Sequence, residues 1–211
     1  KVNVTDRITL DEEATTLAEA HTGANVKVKR TIKKDVWNTI CLPFAMDEAQ
    51  LKAAFGEDAQ LGYFEGYEAD GDNITVSFST VPLTDGMDMN QPYLVRTSTA
   101  ITSFNVDGID IECDEENAFI QVGGTKSNPK SKFIGTLKAG TTIPADNLYL
   151  KDNKFYYSTG TTVIKGFRAY FQLKGGASEA KVRSFRLDFG DDDEASGIIG
   201  IGTTVSEGHD A

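Results

Sequence analysis

The sequence predicts an all-β fold: an antiparallel β-sandwich of about a dozen strands with one short α-helix. Three observations carry this expectation. The dominant hydrophobic period is two. Turn signals recur at intervals of roughly 8–15 residues, the spacing of sandwich strands. Glycine is abundant at 20 residues, threonine recurs, and Ala, Leu and Glu do not dominate, a balance that favours strands and turns over helices. A chain of 211 residues can bury roughly 70% of the surface its unfolded form exposes, so the fold needs no covalent staple.

Val26, Val28 and Ile32 alternate with Lys27, Lys29, Thr31 and Lys33, the pattern of a half-buried strand with its lysines in water. A second strand runs from Trp37 to Leu42 and is stopped by Pro43. The helix follows: Asp47 caps, Gln50 stands at N3, Met46 staples to Leu51, and Leu51, Ala54 and Phe55 form its apolar face before Gly56 ends it. At about two turns it is short, suited to plugging one end of a β structure.

Hairpins come next. Tyr63, Tyr67 and Ala69 lead into Asp70-Gly71-Asp72-Asn73 and Ile74, Val76 and Phe78 lead out, with Tyr67 on the face of Ile74 and Val76 whether the loop has two residues or four. Residues 92–96 form another strand. Phe104 and Val106 run into Asp107-Gly108, and Ile109 and Ile111 return, an Asp-Gly hairpin signature. Residues 123–132 read as a polar loop, and 133–137 resume the sheet. Residues 148–157 form a hairpin about Asp152-Asn153: with a two-residue loop, Leu150 pairs with Phe155 and Leu148 with Tyr157 on one face, and Tyr149 with Tyr156 on the other. In the last strands Phe167, Ala169, Phe171 and Leu173 oppose Arg168, Tyr170, Gln172 and Lys174, and Phe185, Leu187 and Phe189 oppose Ser184, Arg186 and Asp188. After Phe189 the alternation fails. Residues 1–189 are therefore read as a single sandwich domain and 190–211 as an acidic, Gly-rich linker or tail.

The net charge of −11 disfavours nucleic acid as a partner. The lysine clusters at 27–34 and 126–132 read as a solvated strand face and a solvated loop. No apolar stretch of about 18 residues is present, so no membrane span is expected. The chain opens on Lys1 without a signal peptide, which reads as a processed or trimmed chain. Cys41 and Cys113 have no metal-type spacing, and a disulfide between them is permitted but not demanded. Cys41 lies in an apolar run, where a thiol behaves as a small hydrophobe.

Catalytic chemistry finds few footholds. The two histidines, His21 and His209, fall in a loop and in the tail, away from any Gly-x-Ser-x-Gly elbow. A cysteine-protease pair of His21 with Cys41 suffers from the buried position of that strand. With 32 acidic residues, a carboxylate pair of the glycosidase kind arises by chance somewhere, and spacing does not locate it. The cofactor with a candidate place is Ca2+, at Asp70, Asp72 and Asn73, although Ile74 falls where an EF-hand needs a ligand and a plain turn explains the same residues. The candidate ligand-binding residues are Tyr149, Tyr156 and Tyr170. They are placed on wet strand faces, where rings can stack on the apolar faces of sugars or merely pair across strands.

Taken in order, the runs Val28-Lys29-Arg30-Thr31-Ile32, Trp37-Asn38-Thr39-Ile40-Cys41-Leu42-Pro43-Phe44, Pro92-Tyr93-Leu94-Val95, Phe133-Ile134-Gly135-Thr136 and Phe167-Arg168-Ala169-Tyr170-Phe171 resemble a β-sandwich module of large cell-surface and secreted proteins of gut and oral Bacteroidetes. The run at 37–44 is the most specific, and the resemblance spans residues 8–189. It implies export and display on the extracellular or outer-membrane surface of a bacterium, and it implies no catalytic residues. The end Gly197-Ile198-Ile199-Gly200 looks like the linker that precedes a sorting segment in such proteins.

The functional expectation is thus a non-catalytic cell-surface or secreted module for adhesion or structural display. A carbohydrate-binding module using the exposed tyrosines is the alternative, and a glycan hydrolase ranks third. The partner is a host or dietary glycan or a surface protein.

Overall fold

A computed structural model describes residues 6–70, 73–123, 130–173, 184–189 and 199–200, with backbone alone at 69–70, 73, 184–187 and 199–200. The described strands are β1 (Ile8–Asp11), β2 (His21–Ile32), β3 (Asn38–Cys41), β4 (Gln60–Asp70), β5 (Asn73–Val81), β6 (Pro92–Arg96), β7 (Ile101–Ile111), β8 (Phe119–Val122), β9 (Ser131–Thr136), β10 (Thr141–Thr142), β11 (Leu148–Lys151), β12 (Lys154–Tyr157), β13 (Val163–Ile164), β14 (Arg168–Leu173), β15 (Ser184–Asp188) and β16 (Ile199–Gly200), with one α-helix, α1 (Glu48–Phe55). The all-β class is as the alternation predicts. The excess over a dozen comes from two-residue strands, too short to display a period.

The strands form a six-stranded sheet (β16-β15-β5-β4-β6-β3), a five-stranded sheet (β12-β11-β14-β9-β8), a three-stranded sheet (β1-β2-β7) and a two-stranded ribbon (β10-β13). Pairing is antiparallel except at β1 with β2 and at β15 with β5. The pair β15–β16 places Ile199 opposite Phe185, inside the segment read as a tail. The other residues of 190–211 lie outside the described residues.

The six-stranded sheet buries both faces, and period two explains how. Along β6, Tyr93 and Val95 enter one core while Leu94 enters the other. The first core joins this face to Val26, Val28, Phe104, Val106, Ile109 and Ile111 of the three-stranded sheet and to α1. The second joins Phe64, Val76, Phe78 and Leu94 to Phe133, Leu148, Phe155 and Phe171 of the five-stranded sheet. The helix keeps its capping box: Gln50 N donates to Asp47 Oδ1 at 2.8 Å and Asp47 N to Gln50 Oε1 at 2.9 Å. Met46 and Leu51 share its core, and Phe55 meets Phe104 edge-on.

Three sequence expectations change. Asp107-Gly108 is not a hairpin but a β-bulge within the continuous strand β7. Val26 pairs with Val106 and Ala24 with Ile109, so β7 carries one extra residue there. Gly108 has φ 69°, and a left-handed glycine serves a bulge as readily as a hairpin; pairing with β2 decides between them. His21 is not in a loop but opens β2, where it is exposed and paired with Ile111. Phe167 does not continue the alternation of β14: at φ 58° it turns out of the strand and enters the first core, whereas Ala169, Phe171 and Leu173 enter the second.

Arg30 occupies the inward register of β2 between Val28 and Ile32 and is fully buried. Its Nε donates to the Phe167 carbonyl at 3.0 Å, one terminal nitrogen to the Thr39 carbonyl at 2.7 Å, and the other to the Thr31 carbonyl. Buried Glu12 lies 3.6 Å from it. One guanidinium thereby ties β2, β3 and the approach to β14, one strand from each of the three larger sheets.

Cys41 and Cys113 are free thiols at one small cluster with Ala118 and Leu137. A Cβ at Gly135 would overlap Cys41 Sγ, which explains a glycine within β9. Burial pushes both thiol pKa values up, most strongly at Cys41, where the neighbouring Cys113 adds to the effect. Thiolate is the reactive form. In native protein at neutral pH, Cys113 will therefore react slowly with iodoacetamide and Cys41 not at all. Denaturant will release both, and mass spectrometry of the labelled peptides distinguishes them.

Candidate functional site

The hairpin β11–β12 forms in the expected register, Leu148 with Tyr157, Tyr149 with Tyr156, Leu150 with Phe155 and Lys151 with Lys154. Asp152 and Asn153 both have positive φ, 51° and 57°, the two-residue turn that matches strand twist. Tyr149 and Tyr156 stack with ring centroids 5.5 Å apart and planes 19° apart, both half-buried. Tyr170 is not beside them in solvent. It is 8% exposed and packs with Ile143 and Ile164, because the ribbon β10–β13 covers the face of β14 that its alternation marks as wet.

The turn of this hairpin is fastened to the segment between β2 and β3. Trp37 N donates to Asn153 Oδ1 at 2.7 Å, and Lys33 Nζ meets Asp152 Oδ1 at 2.9 Å. Between the two segments lies a cleft of about 280 Å³, floored by Arg168 and Ala169 of β14 and walled by Tyr149, Lys151 and Trp37. That volume lies just below the roughly 300 Å³ at which ligand pockets begin, enough for one small ring with the remainder of a chain outside. Trp37 is 7% exposed, stacks on Phe189 at 4.5 Å, and its indole N–H has no acceptor among the described residues. That nitrogen is closed off from solvent, so Trp37 gives the cleft a wall rather than a donor.

Below the cleft, Glu12 Oε2 accepts from Arg168 at 3.0 Å and from Thr31 N at 3.3 Å while also facing Arg30. Thr39 Oγ1 accepts from Ala169 N at 3.0 Å, locking β3 to β14. The walls thus stand on rigid strands, a good basis for a preformed site.

Burial raises the phenol pKa of Tyr67, Tyr93, Tyr149, Tyr157 and Tyr170, five of the seven tyrosines. Tyr157 reaches about 12, first through burial and then through the Asp146 charge. At Tyr149, Tyr156 adds to burial and a Thr162 hydrogen bond opposes it. Folding favours the neutral phenols, so their stabilisation is complete below the unfolded value near 10 and is lost as pH rises through the folded values. Alkaline titration of phenolate absorbance will show most tyrosines ionising above pH 10 with unfolding in the same range. A single transition of all seven at their ordinary value in folded protein would contradict this packing.

The other candidate residues are not brought to the cleft. Asp70 pairs with Asn73 at the end of β4–β5, a two-residue hairpin. Asp72 and the side chains of Asp70 and Asn73, the calcium candidates, lie outside the described residues, as does His209. Cys41 is buried, whereas His21 is exposed at the start of β2. Among the described residues, no three His, Cys, Asp or Glu side chains converge as metal ligands. No described helix is long and apolar enough to cross a membrane.

The alternation of residues 26–32 already holds the signal for Arg30, a charge in an apolar register. Trp37 gave no such signal, because its role depends on the distant hairpin, nor did Arg168, whose partner Glu12 lies near the other end of the chain. Comparison of the chain with protein-family models, with curated proteins and with solved structures returns no match.

Proposed function

We propose that this domain is a non-catalytic display module of an exported bacterial surface protein, and that the cleft beside Tyr149 and Tyr156 binds a carbohydrate chain. The observation that carries this reading is a stacked tyrosine pair of which one member, Tyr149, walls a preformed cleft. A sugar presents an apolar face to a ring and hydroxyl groups to the polar side chains that line the cleft, so the two features fit one ligand class. The surface location is supported by the resemblance carried by residues 37–44 and 92–95. Adhesion to a host or dietary glycan follows from the two together.

A glycan array probed with wild type and with the double variant Tyr149→Ala/Tyr156→Ala tests the reading, with circular dichroism to establish that the variant folds. Wild type will bind a subset of glycans and the folded variant will lose them. Binding by neither protein, or equal binding by both, would leave the tyrosine stack as a cross-strand pair that serves the sheet.

A further inference from the structure

We infer that the cleft takes the end of a glycan chain and not its interior, because it is closed at the two places where a chain would have to run through. The inference rests on the carbohydrate reading above and gives it a substrate class, the terminal sugar.

The closure comes from strand pairing. β11 and β14 are neighbours in the five-stranded sheet, yet among the described residues they pair only where Leu148 faces Phe171. Past that pair the two strands part, and Tyr149, Leu150 and Lys151 line the cleft together with Arg168 and Ala169. The gap closes again at the tip of the hairpin. There Asn153 Oδ1 accepts from Trp37 N at 2.7 Å, and Asp152 Oδ1 meets Lys33 Nζ at 2.9 Å. The cleft is therefore shut at its stem by a sheet pair and at its tip by two side-chain bonds. Its floor is shut as well, since Thr39 Oγ1 accepts from Ala169 N and joins β3 to β14.

A sugar inside a chain carries two glycosidic bonds, and the chain leaves it in two directions. Such a ring needs a groove open on both sides. A terminal sugar carries one glycosidic bond and needs a single mouth. The cleft, at about 280 Å³, admits one ring, and with stem and tip both closed the ring that enters is a chain end. Tyr149 belongs to the lining and its stacking partner Tyr156 does not. Tyr149 thus meets the terminal ring, and Tyr156 holds Tyr149 in place. The fastening can be undone without losing the turn: Asn153 has φ 57°, a conformation that glycine adopts freely, so Asn153→Gly removes the bond to Trp37 and keeps the hairpin.

The test is a glycan array in which each disaccharide stands once at a free chain end and once inside a longer chain, every chain being coupled to the surface through either end in turn. Wild type, Tyr149→Ala/Tyr156→Ala and Lys33→Ala/Asn153→Gly are compared, with circular dichroism to establish that each variant folds. Wild type will bind its disaccharide at least about tenfold more tightly at a free end than inside a chain. The coupling that abolishes binding identifies which end enters. Calorimetry with the same linear glycan free in solution will give one protein per chain, whatever the chain length. In Lys33→Ala/Asn153→Gly the tip opens, and the preference for the end will fall at least about threefold. The tyrosine variant will lose binding altogether. Equal binding at both positions, with several proteins on a long chain, overturns chain-end recognition while the carbohydrate reading stands. An end preference unchanged in the unfastened variant overturns the closure as its cause, and the inference with it. Binding of no glycan, or binding untouched by the tyrosine variant, overturns both readings.

Discussion

Replacing Arg30 with methionine will lower the unfolding free energy by about 3–5 kcal/mol, read from urea midpoints at constant slope. The side chain is fully buried and donates to the carbonyls of Phe167, Thr31 and Thr39. Methionine fills the space and satisfies none of the three. Each orphaned acceptor costs about 1–3 kcal/mol. Glu12 retains Arg168, so the loss is chiefly that of the backbone acceptors rather than of a naked charge. Arg30→Lys keeps the charge but cannot reproduce the planar fork, and it will recover less than half of the loss. A loss under about 1 kcal/mol in Arg30→Met would show that the three sheets are held together without this contact.

Phe171→Ala will cost about 3–5 kcal/mol, the range for deleting a buried ring from a core that closes incompletely. Phe171 is fully buried. It stacks on Phe133 at 4.4 Å and meets Phe155 at 5.3 Å within its own sheet, then reaches Phe64 and Phe78 across the second core. Four rings would face one cavity, and aromatic pairs add to the burial term. Phe171→Leu will cost much less, because most of the volume remains. Lys27→Ala, on the exposed face of β2, will stay within about 0.5 kcal/mol of wild type. Comparable losses at positions 171 and 27 would contradict the two-core arrangement.

What the sequence disclosed follows from how local each signal is. The capping box of α1 and the Asp152-Asn153 turn need only neighbouring residues, and both form as read. Tyr149 lands opposite Tyr156 because turn length fixes register. Asp107-Gly108 failed as a hairpin because the same left-handed glycine suits a bulge, and β2 decided the matter from far along the chain. Tyr170 failed as a surface residue because alternation reports the two faces of a strand, not what a later ribbon lays over one of them. The parallel pairings of β1 and β15 have no local signature at all. The cleft is legible only in part. Tyr149 is visible as one of a pair, but Trp37 and Lys33 become its neighbours through contacts made over a hundred residues apart, and Arg168 stands on a different strand of the sheet.

The same cleft offers its own reporter, since Trp37 is the single tryptophan of the chain. Its indole N–H gives one isolated resonance that requires no assignment. Titrating glycan into 15N-labelled protein while following that resonance tests the central claim most directly. A glycan seated against the Trp37 wall will shift the signal in a saturable manner, with the same midpoint as calorimetric binding. An indole resonance that stays fixed at saturation by a glycan would place the carbohydrate elsewhere on the protein and contradict the account.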